Sequence, residues 1–341
     1  MSNNHEIILA SRPMGVPTPD NFGHQAIDMP EAGAGEVLLR LVYLSVDPYL
    51  RGRMNEGKSY IAPFEAGGPI ESGCVAEVVG SDNDAFKIGD YVAGGLKWAD
   101  YQTHSGAGLT KLNPAMGPLS YALGVMGMPG MTAWAGLTIH GKPKEGETIV
   151  VSAATGAVGS LVCQLAKQRG LRVVGVAGGA EKCAYAIETL GCDACVDHRD
   201  PDLKKKLRAA CPDGVDIYFE NVGGVTLAAV MPLMNAFSRI PLCGMISQYN
   251  LTEAPEGPDM SSALWRAFLV NRITVRGFIV TDHWGQYPEF LAEVGPLLAS
   301  GAIKAKESFT EGLASAPDAF MQVLSGGNFG KQVVRVAAER V

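Results

Sequence analysis

The 341-residue sequence predicts an α/β protein made of a doubly wound parallel sheet and a second, β-rich domain. Three observations carry that expectation. From residue 148, apolar β-branched runs alternate with helical patterns, the arrangement that builds parallel sheets. Residues 1 to about 125 hold short strands among many Gly and Pro turns, as barrels and sandwiches do. The last apolar run, GKQVVRVAA, finds no place left in the helical series. With 47% hydrophobic residues over this length, the chain fills more than one ordinary core.

The elements follow in order. EVLLRLVYLSV, GCVAEVVG and DYVAGG read as strands of the β-rich part. TIVVS (148–152), RVVGVA (172–177), ACVD (194–197), VDIYFEN (215–221), SRIPLCG (238–244) and ITVRGF (273–278) read as strands buried on both faces. Between the first two, Val158, Leu161, Val162, Leu165 and Ala166 recur at helical spacing, and Gly170 ends that helix. GLASAPDAFMQVLSGG is helical, and the strand after it is expected to return to the first domain. The boundaries are therefore set at 1–126 with 308–341 for the β-rich domain and 127–307 for the doubly wound one. A groove between two such domains is a usual place for a substrate; Met126, Met128, Met131 and the loop NLTEAPEGPDM are expected among its walls.

Composition excludes several classes of partner. The net charge is -7, with Lys and Arg scattered, which argues against nucleic acid or an anionic membrane and for a small molecule. No 18-residue apolar run and no signal-type start exist, so the expected compartment is the cytoplasm. Seven cysteines, an odd number within apolar segments, read as reduced core thiols. Cys192 and Cys195 form a C-x-x-C without a second pair, and they straddle a strand start that would send the thiols to opposite faces.

The run ATGAVG, residues 154–159, follows a strand and opens a helix within a β-α-β unit, as a dinucleotide fingerprint must. Ala154 stands where that fingerprint has its first glycine, at little cost if its φ stays negative. Gly156 lets backbone approach a pyrophosphate, Gly159 lets helix and strand pack closely, and Thr155, Ala157 and Val158 complete the cradle at the helix N-terminus. Tight packing alone is the competing account of the glycines. After the second strand, Gly178 and Gly179 leave room, Lys182 supplies charge, and His198 with Arg199 follows the next strand. Room and cations at that place favour NADP(H) over NAD. Glu181 is the competing signal, read as an ordinary first-turn acid; Lys182 and Arg199 have the alternative of plain solvated charges.

With these residues in view, the chain resembles the medium-chain dehydrogenase/reductase superfamily, in its zinc-independent branch of prostaglandin, alkenal and curcumin double-bond reductases. The resemblance rests on LSVDPYLRGRM, GMPGMTAWAGL, AATGAVGS, ENVGG, CGMISQYN, RGFIV and GGNFGKQVV in family order. It implies a GroES-like β-rich domain, a Rossmann domain, and a homodimer. It implies reduction of the conjugated C=C of an enone or enal with NADPH, by hydride transfer to the β-carbon. A zinc-free quinone oxidoreductase and an NADPH-binding relative without turnover are the alternatives.

The resemblance also assigns residues. Tyr249 follows the fifth strand's carboxyl end and is the candidate donor to the carbonyl oxygen, with a buried tyrosine on a backbone partner as the structural alternative. Tyr49 matches a substrate-facing tyrosine. Thr132, Asn221, Phe278, Val280 and Asn328 match positions around nicotinamide, ribose or phosphate, and Cys243 joins the cofactor-binding set. Phe278 and Val280 would act mainly through backbone groups, and Asn328 could equally be a turn residue. His198 replaces the tyrosine common at its position. No metal is expected, because ESGCVAEVVG offers a lone thiol, Cys74, at the place of the family's catalytic zinc ligands. Asp47 and Arg51 are expected to pair across their loop. His104, His140 and His283 show no partner pattern and are assigned no chemistry.

Overall fold

The computed structural model describes residues 4–254 and 259–340. It divides into two units: Met1–Gly124 with Asn250–Thr252 and Glu307–Val341, and Val125–Tyr249 with Glu253–Lys306.

The first unit opens with an antiparallel ribbon of β1 (Asn4–Leu9) and β2 (Phe22–Ile27). Its large sheet takes β3 (Val37–Ser45), β4 (Glu71–Ser81), β5 (Tyr91–Lys97), β6 (Tyr101–His104) and β7 (Thr110–Leu112), with the single helical turn α1 (Leu50–Arg53) after β3. A bulge between Leu41 and Tyr43 shifts the register of β3 on β4. That extra residue explains why Leu39, Leu41 and Leu44 share one core although their parity changes, while Val42 and Tyr43 enter another.

The second unit contains α2 (Met128–Ala135) and then the alternating series. In chain order this is β8 (Thr148–Ser152), α3 (Gly159–Gln168), β9 (Arg172–Ala177), α4 (Ala180–Glu188), β10 (Ala194–Asp197), α5 (Leu203–Ala210), β11 (Val215–Phe219), α6 (Gly224–Val230), β12 (Met234–Leu242), α7 (Ser261–Asn271), β13 (Thr274–Gly277) and α8 (Tyr287–Ala299). All pairings are parallel, in the order β10-β9-β8-β11-β12-β13. Strand parity builds two cores. Ile149, Val151, Ile217 and Phe219 meet α2, α3 and α8, while Val150, Val174, Tyr218 and Ile240 meet α5 and α6. α3 stops as its sequence requires: Gly170 takes φ +75° and donates its N–H to Lys167 O, and Leu171 N–H reaches Ala166 O.

The chain then returns to the first unit with β14 (Glu307–Glu311), α9 (Ala316–Leu324) and β15 (Lys331–Arg335). β15 pairs antiparallel with β3, Val333 opposite Ser45. Lys331 Nζ lies 2.6 Å from Asp47 Oδ1, both buried. Asp47 also accepts from Ser45 Oγ. Arg51 does not pair with Asp47: its guanidinium donates to Asn55 Oδ1, Asn250 Oδ1 and Gly15 O. The nearer cation for Asp47 comes from β15, 284 residues along the chain, which local spacing does not reveal.

Candidate active site

The strand order 3-2-1-4-5-6 reverses between β8 and β11, and ligands of such sheets lie beyond the carboxyl ends at that point. The turn after β8 is Ala153–Val158. Ala153 holds the left-handed conformation, φ +49°, so the strain lies one residue before Ala154, which is not among the residues of positive φ. Gly156 N–H closes the turn on Ala153 O at 2.9 Å. A Cβ at Gly159 would fall 2.3 Å from Ala153 O and 3.0 Å from Ala154 Cα, so only glycine lets α3 start this close to the loop. At Gly156 the tightest neighbour would be 3.2 Å away, and Gly156, Ala157 and Val158 are all partly exposed while Thr155 is buried. The cradle is thus a backbone turn ending in a helix N-terminus.

A cationic corner lies at the ends of β9 and β10. A Cβ on Gly178 would meet His198 Nε2 at 2.8 Å and Arg199 Nη2 at 3.3 Å, and one on Gly179 would have Arg199 Nη1 at 3.8 Å. Lys182, on the first turn of α4, is lowered in pKa by burial and then by Arg199. His198 is lowered by burial first, then by Arg199, with Asp197 opposing and Lys182 adding to the effect. Lys182, Arg199 and the protonatable His198 therefore share one place, with Glu181 acting on Lys182 and Asp197 on His198 as the acids, and Asp197 Oδ1 accepts from the Arg199 backbone N–H at 3.0 Å. An anion beside Lys182 and His198 would favour their charged forms and reverse both shifts.

An open groove of about 300 Å³ lies at the ends of β12 and β13, lined by Cys243, Met245, Tyr249, Phe278, Ile279 and Asp282 among others. Tyr249 Oη accepts from Met245 N–H at 3.2 Å. The phenol thus has a backbone partner, but in that bond it accepts and keeps its own proton for donation. Burial raises the Tyr249 phenol and pushes the Cys243 thiol up to about 12. Asn221 closes the adjacent strand end: its Nδ2 donates to Ser152 O at 2.7 Å and its N–H to Ser152 Oγ at 2.8 Å. Thr132 donates to Met128 O within α2, and Val280 is buried.

Tyr49 and Asn328 belong to the first unit. Tyr49 packs against that unit's core with its phenol raised by burial, and Asn328 Nδ2 donates to Gly330 O at 2.8 Å, a turn contact. Met131 is a fully buried core residue of the second unit, not a wall. Of the loop 250–260, residues 255–258 lie outside the described residues.

Two readings of local sequence are corrected. His140 and His283 are partners, Nε2 to Nε2 at 2.9 Å, beside the Phe278 ring, and His104 Nδ1 accepts from Gly106 N–H. A pairing over 143 residues leaves no local pattern. Nor do Cys192 and Cys195 point to opposite faces. Both sulfurs converge on Gly175, at 3.7 and 3.2 Å from where its Cβ would stand, because Cys192 precedes β10 and its loop folds back over β9. Burial raises the Cys195 and Cys183 thiols, which makes them poor nucleophiles. Among the described residues no group of three or more His, Cys, Asp or Glu side chains is arranged to hold a metal ion. Cys74 is buried, with its thiol raised to about 12, and Ser72 Oγ accepts from the Trp98 indole.

Sequence reasoning missed Glu220. The available signal is in ENVGG, where a carboxylate ends an apolar strand.

Comparison with known proteins agrees with this architecture. A family model described as the N-terminal domain of oxidoreductases matches residues 5–112, and one described as zinc-binding dehydrogenase matches residues 157–295. The NADPH-dependent curcumin reductase of Escherichia coli is 49% identical over 337 residues, 98% of each chain. The NADP-dependent 2-alkenal reductase of Nicotiana tabacum is 42% identical over 345 residues, 99% of this chain and 98% of that one. The crystal structure of CurA from Vibrio vulnificus in complex with NADPH superposes with a TM-score of 0.94 at 50% identity, covering 98% of this chain and 99% of that one. Shared over nearly its whole length, these likenesses place the chain in the medium-chain dehydrogenase/reductase superfamily, within its zinc-independent branch of double-bond reductases.

Proposed function

We propose that the chain is an NADPH-dependent reductase of α,β-unsaturated ketones and aldehydes. The cationic corner carries the choice of cofactor: His198 and Arg199 stand over Gly178, and Lys182 is close enough for its charge to act on His198 and to feel that of Arg199, the surroundings a 2′-phosphate would need. The residues fit the group, since the turn Thr155–Val158 leads into the N-terminus of a ten-residue helix, partly exposed at Gly156, Ala157 and Val158, where a pyrophosphate could meet backbone N–H groups. Cys243 and Phe278 line the groove, and together with Asn221 and Val280, which follow neighbouring strand ends, they are proposed to hold the nicotinamide half. Bound NADPH supplies a hydride for the β-carbon of the conjugated system.

The side chains do the rest. As negative charge gathers on the substrate carbonyl oxygen, Tyr249 donates its phenolic proton in a hydrogen bond, and the Met245 N–H behind it steadies the phenol oxygen. Cys243, with its thiol raised, stays neutral beside this charge. Tyr49 is proposed as a substrate contact on the resemblance of DPYLRG alone, and Thr132 and Asn328 as cofactor contacts on the same ground. Tyr249→Phe is expected to lower kcat by roughly 100-fold or more, the effect of losing one oxyanion donor, with NADPH affinity nearly unchanged. The measurement is the loss of NADPH absorbance with 2-alkenals, aryl enones and quinones. Turnover of quinones alone would replace this reading by the quinone oxidoreductase.

We also propose a homodimer in the cytoplasm. All four residues of β13 are exposed at the sheet edge, and Trp265, Leu269 and Phe237 near it are 72, 79 and 67% exposed. Such an edge is a template for a second copy. Light scattering should give twice the chain mass, and Val275→Lys should reduce it to one. A parent protein that runs as a monomer would refute the assembly. All seven cysteines are free thiols, as a reducing compartment allows.

A further inference from the structure

We propose that Glu220 is a positioning residue for Tyr249, a role that rests on the donor function just proposed for that tyrosine. Glu220 is 1% exposed, and no cation pairs with it among the described residues. A buried carboxylate without a counter-charge is expensive, so packing alone does not account for it. Its hydrogen bonds show what holds it. Oε1 gathers three donors: Val222 N–H at 2.7 Å, Gly223 N–H at 3.0 Å and Ser152 Oγ at 3.0 Å. Oε2 is buried and makes no hydrogen bond of good geometry among the described residues, and the buried Tyr218 hydroxyl lies beside this carboxylate and the Ser152 hydroxyl. One oxygen therefore does the binding, and it binds the turn after β11.

That turn in turn holds the loop bearing Tyr249. Val222 O accepts from Ser247 N–H at 3.0 Å and from Ser247 Oγ at 2.5 Å, and Asn221 O accepts from Ile246 N–H at 3.2 Å. The Glu220 backbone carbonyl takes Cys243 N–H at 2.9 Å and Gly244 N–H at 3.1 Å. Gly244 is where a Cβ would touch Tyr249 Oη, at 3.0 Å. Two rigid links thus run from the Glu220 residue to the phenol, one through its side chain and the 221–223 turn, one through its carbonyl and Cys243–Gly244. Without the side-chain link the 246–248 turn loses its register on β11, and the donor loses its aim.

The test uses the whole chain. Glu220→Leu removes the acceptor, Glu220→Gln keeps one oxygen acceptor in place, and Ser247→Ala weakens the link by removing the hydroxyl bond to Val222 O, at an exposed residue, while the backbone bond stays. The expected result is a fall in kcat by up to about 100-fold in Glu220→Leu, as a displaced catalytic group gives, with the Michaelis constant for NADPH little changed. Glu220→Gln should recover most of the loss, and Ser247→Ala should show a smaller fall in the same direction. In a Tyr249→Phe background none of the three should slow the enzyme further. Multiplying losses in that background, or a Glu220→Gln variant as slow as Glu220→Leu, would overturn the proposal while leaving Tyr249 its role. Should Glu220→Leu not fold, Ser247→Ala at parental kcat does the same. Tyr249→Phe at parental kcat would remove both.

Discussion

The glycine cradle after β8 and the cationic corner after β9 and β10 lie at neighbouring strand ends of one sheet, and they are built of different materials. The cradle is backbone: Ala153 in a left-handed turn, Gly156 closing it, Gly159 within 3 Å of its carbonyl were any side chain present. The corner is side chain: a lysine, a histidine and an arginine, partly exposed or exposed, in which burial and then the arginine's charge lower the pKa of the other two. Backbone geometry is insensitive to pH and to most substitutions, except at the glycines where it permits none. Charged side chains tolerate exchange and respond to salt and protons. On the function proposed above, affinity for a dinucleotide and the choice between two dinucleotides are held in separable parts of the fold.

The strongest way to break that separation is Gly159→Ala. Its Cβ would lie 2.3 Å from a backbone oxygen that no rotamer moves away, so both the fold and the cradle suffer. Overpacking of this kind costs about 1–3 kcal/mol. Thermal unfolding should show a lowered Tm, and calorimetry should show NADPH and NADH affinity falling together. An unchanged Tm would mean that the loop shifts freely and the cradle is not rigid. A smaller and more selective effect is expected of Lys182→Ala. Losing one partly exposed cation should raise the dissociation constant for NADPH about tenfold, a change of about 1.4 kcal/mol, and leave that for NADH and the Tm alone. Equal changes for both nucleotides would deny the corner its part in the choice.

The same division decided how much was legible in the sequence. Strands β8, β9 and β10 stand at the residues where their apolar runs stood, because β-branched residues buried on both faces are a local signal. Gly159 was legible for the same reason: its neighbours in space are its neighbours in the chain. β12 begins at Met234, earlier than SRIPLCG suggested, since a register shift against β11 extends the strand into less regular sequence. What local pattern does not carry is convergence of distant side chains. His140 meets His283, Asp47 meets Lys331, and the thiols of Cys192 and Cys195 meet over Gly175. Glu220 stood in plain view, yet its meaning depends on Ser152, 68 residues earlier.

The finest test of the comparison is a proton. His198 has its pKa lowered from 6.5, by burial and then by Arg199, with Lys182 adding and Asp197 opposing. The imidazole is therefore mostly neutral at pH 7 in the free chain. A phosphate dianion beside it reverses the sign of the nearest charge, stabilises the imidazolium and raises its pKa. A group with a higher pKa in the complex than in the free protein takes up protons on binding, so affinity rises as pH falls through the window between the two values. Phosphate protonation near pH 6 closes that window from below. NADPH should thus bind more tightly at pH 6.5 than at pH 8, by less than one tenfold step per pH unit, and calorimetry in buffers of different ionisation heat should record fractional proton uptake. NADH should show neither effect, and His198→Gln should abolish both for NADPH. The cradle has no titrating group to imitate this, so a pH slope shared by NADH would place the proton outside the corner and end the distinction between the two parts.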